Sequence, residues 1–120
     1  MSIQVQFNKG NFIVIVGGES SILYKGEIAI IEFIGTGLDK PKFQDQDRLY
    51  FKDIDDYEEL KKEFSFLYKY NLNPIPFNKW EIQKLFDDDF LFIFASKKQL
   101  IEFLNTKPLL ASVTTRASVI

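Results

Sequence analysis

The chain has 120 residues, the size of one domain, with 15 Lys plus Arg against 17 Asp plus Glu and a net charge of −2. It holds no Cys and no His, which excludes disulfides, thiolate catalysis, zinc fingers, haem ligation and every His-based triad. At 46% hydrophobic and 16% aromatic the composition is globular, and no apolar run reaches the ~18 residues of a bilayer span.

The first half reads as β. Ile3, Val5 and Phe7 alternate with polar residues as in a half-buried strand, and residues 8–11 (Asn-Lys-Gly-Asn) supply a turn. Residues 12–16 are continuously apolar, as in a strand buried on both faces, and Gly17-Gly18 breaks the run. Residues 21–24 read as a short strand, Lys25-Gly26 as a turn, and residues 27–34 as a longer strand ended by Gly35-Thr36-Gly37. Connections this short predict an antiparallel β-meander over the first 37 residues.

After a polar loop and a short strand at 49–51 the period changes. Tyr57, Leu60, Phe64, Leu67 and Tyr68 share one face of a predicted helix, with Asp55 and Glu58 spaced as a capping box. Asn71 and the 73–76 stretch (Asn-Pro-Ile-Pro) stop it. Asn78 with Glu81 caps a short helix carrying Trp80, Leu85 and Phe86; Asp87, Asp88 and Asp89 turn the chain into a strand at 90–95. Ser96 with Gln99 caps a last helix bearing Leu100, Ile101, Phe103 and Leu104. In residues 109–120, Val113, Thr115, Ala117 and Val119 alternate with Ser112, Thr114, Arg116 and Ser118. The fold class is α+β: an N-terminal antiparallel β-meander, then helices packed on a mixed, mainly antiparallel sheet. Residues 1–108 form the domain and residues 109–120 an extended or strand-like C-terminal arm.

Candidate chemistry is sparse. The two glycine clusters lack a following helix and a Gly-Lys-Ser/Thr, so they read as turn glycines at positive φ rather than phosphate cradles. Asp87, Asp88 and Asp89 have the ligand type of a hard-cation site, but a solvated turn accounts for them. No catalytic, cofactor-binding or metal-ligating residue is assigned, and no cofactor is expected. Two Arg and a negative charge make nucleic acid a poor main partner, and neither a membrane nor a signal peptide is indicated.

What remains points to interaction. Aromatics on more than one face of the first helix (Phe66, Tyr70), together with Trp80, are candidate interface residues. In the arm the candidates are Leu109, Leu110, Val113, Thr115, Arg116, Val119 and Ile120. Residues 39–63 carry net −3 and residues 96–120 net +3, which suits head-to-tail packing of identical copies. Codon-biased usage, Lys over Arg by 13 to 2, suggests an AT-rich genome. The expectation is a non-enzymatic part of a large homo-oligomer, a small bacteriophage virion protein (ring, connector, tail or capsid-associated) assembled in the host cytoplasm beside other copies and neighbouring assembly proteins. The alternative is a small acidic binding or inhibitor module docking on a host protein. A metal-dependent enzyme using carboxylates ranks last.

Overall fold

The computed structural model describes residues 4–17, 23, 26–36 and 48–106. Within them lie β1 (Phe12–Val16), β2 (Ile28–Thr36), β3 (Arg48–Asp53), α1 (Tyr57–Glu63), β4 (Leu67–Tyr68), β5 (Ile75–Asn78), α2 (Lys79–Asp87), β6 (Leu91–Phe94) and α3 (Lys97–Asn105). The strands form one mainly antiparallel sheet in the order β5-β3-β2-β1-β6, and β4 pairs with β2 in parallel. The α+β class expected from the sequence is therefore observed.

Strand β1 and residues 28–31 of β2 read as unbroken apolar runs because helices cover both sheet faces. Ile13, Ile15, Ala29, Ile31 and Phe51 point to the first face, against Ile82 and Leu85 of α2. Val14, Ile28 and Ile30 point to the second, against Leu60 of α1 and Leu100 and Leu104 of α3. Each side chain of this size stabilises the fold by about 1.5–3 kcal/mol on full burial. Phe51, with no exposed surface, centres the first face: the rings of Phe33, Phe7 and Phe77 stand tilted or edge-on to it, with centroids 5.5–5.7 Å away.

Four expectations need correction. The helix starting at Tyr57 ends at Glu63, not beyond Tyr68. Phe64 caps it, and the carbonyl of Leu67 accepts from the Tyr57 hydroxyl (3.0 Å) and the Lys61 ammonium (2.8 Å), which turns the chain into β4. The capping box of Asp55 and Glu58 does not form; Asp56 occupies the cap, and Asp55 pairs with Lys52 instead. The 73–76 stretch, expected only as a helix stop, leads into an edge strand at Ile75–Asn78, the position in a sheet that tolerates Pro. Val5 and Phe7 pack on the first-face core as expected, but residues 4–8 form no strand: the Val5 N–H donates to Gln83 Oε1 of α2. The expected strand at 21–24 lies outside the described residues apart from Leu23, which is buried.

The first turn and the cap of α3 act as read, whereas Gly35, expected to end the strand, lies inside β2 and Gly17, expected at positive φ, is not. Asn8 and Asn11 close the first turn around Gly10 at φ 90°. Gly35, at φ 145°, sits beside a bulge inside β2, where the register shifts so that Tyr50 faces Gly35. Gly17 extends the β1–β2 ladder, its N–H donating to the carbonyl of Glu27, and is not at positive φ. The Ser96 hydroxyl accepts from the Gln99 N–H and caps α3.

Candidate functional site: two sheet edges and a groove

The sheet has two lateral edges, β5 and β6, and backbone alternation fixes which groups each presents. In the β1–β6 ladder the Val16 N–H donates to the Phe90 carbonyl, so Phe92 and Phe94 bond toward β1. The N–H and C=O groups of Leu91 and Ile93 therefore point outward, and among the described residues nothing pairs with them. On the other side, the Phe33 N–H donates toward β1, which places the bonding groups of Lys52 against β2 and those of Phe51 and Leu49 against β5. Pro74, Pro76 and Asn78 consequently face outward from β5.

That outer row of β5 offers no donor. Pro74 and Pro76 have no N–H, and the Asn78 N–H is taken by Glu81 Oε1 at 3.1 Å. Asp53, where β3 ends, holds the incoming chain: its two carboxylate oxygens accept from the N–H groups of Tyr70 (3.0 Å) and Asn71 (2.9 Å), with Asn71 at φ 61°. The segment into β5 is tied down and its edge is closed.

The β6 edge is different in kind. Its residues are Leu, Phe, Ile and Phe, without the Pro or Lys that commonly guard an edge. Beside it runs a groove of about 490 Å³, walled by Ile93 and Phe94 on the strand and by Gln99, Glu102, Phe103 and Thr106 on one face of α3. The Phe103 ring lies 5.2 Å from that of Phe92 and 5.3 Å from that of Phe94, so the helix wall is fixed to the strand. Lys97 at the start of α3 pairs with Asp56 and links that helix to α1. Outward backbone groups beside a groove that can seat alternate side chains are what an added β-strand requires. The edge carried no recognisable motif, and only the unguarded apolar run at 90–95 hinted at it.

The sequence-predicted interface residues are not brought together. Phe66 is half-buried and stacks on Phe64 at 5.9 Å; Tyr70 packs edge-on to Tyr68 (5.2 Å) and Phe77 (5.9 Å). Neither lies on a helix, so the reading of a helix with aromatics on two faces is overturned. Burial, with the neighbouring Tyr68 and Asp53, pushes the Tyr70 phenol well above its usual 10.0. Trp80 is 67% exposed and borders a second groove, about 590 Å³, lined among others by Val5, Phe7, Leu49 and Lys79. Leu109, Leu110, Val113, Thr115, Arg116, Val119 and Ile120 lie outside the described residues.

The acidic run behaves as local structure. Asp87 accepts from Gln83 Nε2 (2.9 Å), Asp88 pairs with Lys84 (3.1 Å), and Asp89 turns the chain at φ 63°. Among the described residues no three carboxylates gather where a metal ion could sit, and no helix is long and apolar enough to cross a membrane.

Comparison with known proteins adds no assignment to this geometry. No family model matches the chain, and neither a curated protein nor a solved structure is significantly similar to it.

Proposed function

We propose that this protein is a non-enzymatic structural component of a homo-oligomeric assembly, and that the β6 edge is its joining surface. The observation that carries this reading is the asymmetry of the sheet. One edge is stripped of outward donors by Pro74, Pro76 and the Glu81 contact, while the other presents the backbone groups of Leu91 and Ile93 beside a helix wall in which Phe103 is flanked by Gln99, Glu102 and Thr106. A sheet that, among the described residues, is open on one side only accepts one strand there and cannot propagate through the other. Within this class, a small bacteriophage virion protein is the form we propose, on the Lys-over-Arg amino-acid usage expected of an AT-rich gene and on the lack of His and Cys chemistry in the composition.

Ile93→Pro tests the reading, because it deletes an outward N–H without touching the ladder to β1. Light scattering of the purified chain should give a multimer, and Ile93→Pro should convert it to monomer with the far-UV circular dichroism retained. Ile93→Lys, which places a charge at the groove and keeps the backbone donor, covers the case in which the Pro variant does not fold. Multimers unchanged in both variants would remove β6 as the joining surface.

A second reading, the small acidic binding module, is favoured by Trp80 standing exposed beside its groove. A stable monomer at all concentrations, indifferent to Ile93→Pro, would support this module over the assembly part.

A further inference from the structure

We infer that the strand received by the β6 edge is residues 109–120 of a second copy of this chain, not the chain's own; this rests on the assembly reading above. The argument is topological. From the pairings, β2, β5 and β6 all run the same way. The connection from β5 through α2 to β6 travels from one sheet edge to the other over the first face. The connection from β2 to β4 passes through β3 in the sheet and then crosses through α1, which lies on the second face. It travels toward the β5 side, because β1 occupies the other flank of Ile28 and Ala29. Half a turn about the strand direction exchanges both the faces and the directions, so these two crossovers share one hand. Parallel crossovers are right-handed in about 98% of cases.

Helix α3 also lies on the second face and turns back over β6, with Leu100 and Leu104 in the core beside Val14 and Ile30. If the chain continued from Thr106 into a parallel strand outside β6, it would travel away from the β5 side over the second face. That crossover has the opposite hand. Antiparallel pairing by the same chain would first need about five residues to pass unpaired along the length of β6. A segment from another copy meets neither restriction.

Residues 109–120 suit the groove. They alternate small or β-branched side chains, include no Pro or Gly, and carry no acid, while the one charged wall residue of the groove is Glu102. Pairing with the short β6 edge needs about five residues, and the remaining span extends up to ~3.3 Å per residue as a tether between copies.

The chain has no native Cys, so introduced thiols report without background. Full-length Gln99→Cys protein is mixed with Val113→Cys, Thr115→Cys or Ala117→Cys protein, oxidised, and run on a denaturing non-reducing gel. We expect a cross-linked dimer of unlike chains from at least one mixture, lost when Ile93→Pro is added to the Gln99→Cys partner. Chains carrying both thiols should link between copies rather than close on themselves at low concentration. Closure within one chain would overturn the inference. So would multimers that survive deletion of 109–120 yet dissociate with Ile93→Pro; that result leaves the assembly reading standing with another strand on β6. A full-length chain that is monomeric throughout overturns both.

Discussion

The β5 and β6 edges belong to one sheet and are each four residues long, yet they are built oppositely. β5 has lost its outward donors to two prolines and one capping glutamate, and Asp53 ties down the segment that leads into it. β6 keeps its outward donors and adds a helix wall beside them. An exposed edge is a hazard to any β-protein, and among the described residues β5 is closed while nothing pairs with the outward groups of β6, which is the contrast the proposed joining surface rests on.

The largest expected disturbance falls on the β6 side. Phe103→Ala removes the ring that fixes α3 to Phe92 and Phe94 and should cost about 3 kcal/mol in urea unfolding. It should also weaken multimer formation, because the groove loses its wall; full assembly in this variant would mean that α3 plays no part in docking. On the β5 side, Asp53→Ala leaves the N–H groups of Tyr70 and Asn71 without their carboxylate and should cost about 2 kcal/mol. Hydrogen exchange should quicken at Ile75 and Phe77, which bond inward to β3, while Phe92 and Phe94, which bond inward to β1, stay protected. Equal loosening at both edges would mean that they are not independent.

A smaller change tests the guarding itself. Pro76→Val with Glu81→Ala restores two outward donors on β5, at about 1 kcal/mol for the lost cap. Made together with Ile93→Pro, so that β6 is closed, it should bring back association through the wrong edge. Light scattering that stays monomeric would show that something other than donor removal protects β5.

Much of the frame was legible because helix and strand periods agreed with burial. The doubly apolar runs at 12–16 and 28–31 require cover on both faces, and the Asn78/Glu81 and Ser96/Gln99 spacings do start helices. The misreadings share a cause, which is that side-chain facing is local and pairing is not. Tyr57, Leu60 and Phe64 do lie on one helical side, but Phe64, Phe66, Tyr68 and Tyr70 also alternate with period two, and a parallel place beside Ile28 and Ala29 captured Leu67 and Tyr68 for the sheet. The Pro-Ile-Pro stretch reads as a stop because Pro excludes central strands; only the neighbouring β3 makes it an edge. Residues 4–8 alternate in burial as a strand would, yet α2 rather than a strand takes the Val5 N–H. Open edges have no sequence signature of their own, since they are defined by which neighbours are missing.

The smallest effect is a test of how firmly the β5 side is packed, read through Tyr70. Burial, the Tyr68 ring's hydroxyl and the Asp53 carboxylate all disfavour its phenolate, so its folded pKa stands above the unfolded value of about 10. Between those two values the folded chain holds a proton that the unfolded chain has released. Stability from this group is therefore complete below about pH 10 and falls as pH rises beyond it, by up to about 1.4 kcal/mol per pH unit for one proton. Tyr57, raised by burial and the nearby Glu58, adds to the same alkaline decline. Tyr70→Phe keeps the ring contacts with Tyr68 and Phe77 and removes only the ionisation. Near neutral pH its denaturation midpoint should barely move, whereas above pH 10 it should lose stability less steeply than the parent chain. Parallel curves for the two proteins would mean that Tyr70 reaches solvent and that the β5 side opens locally.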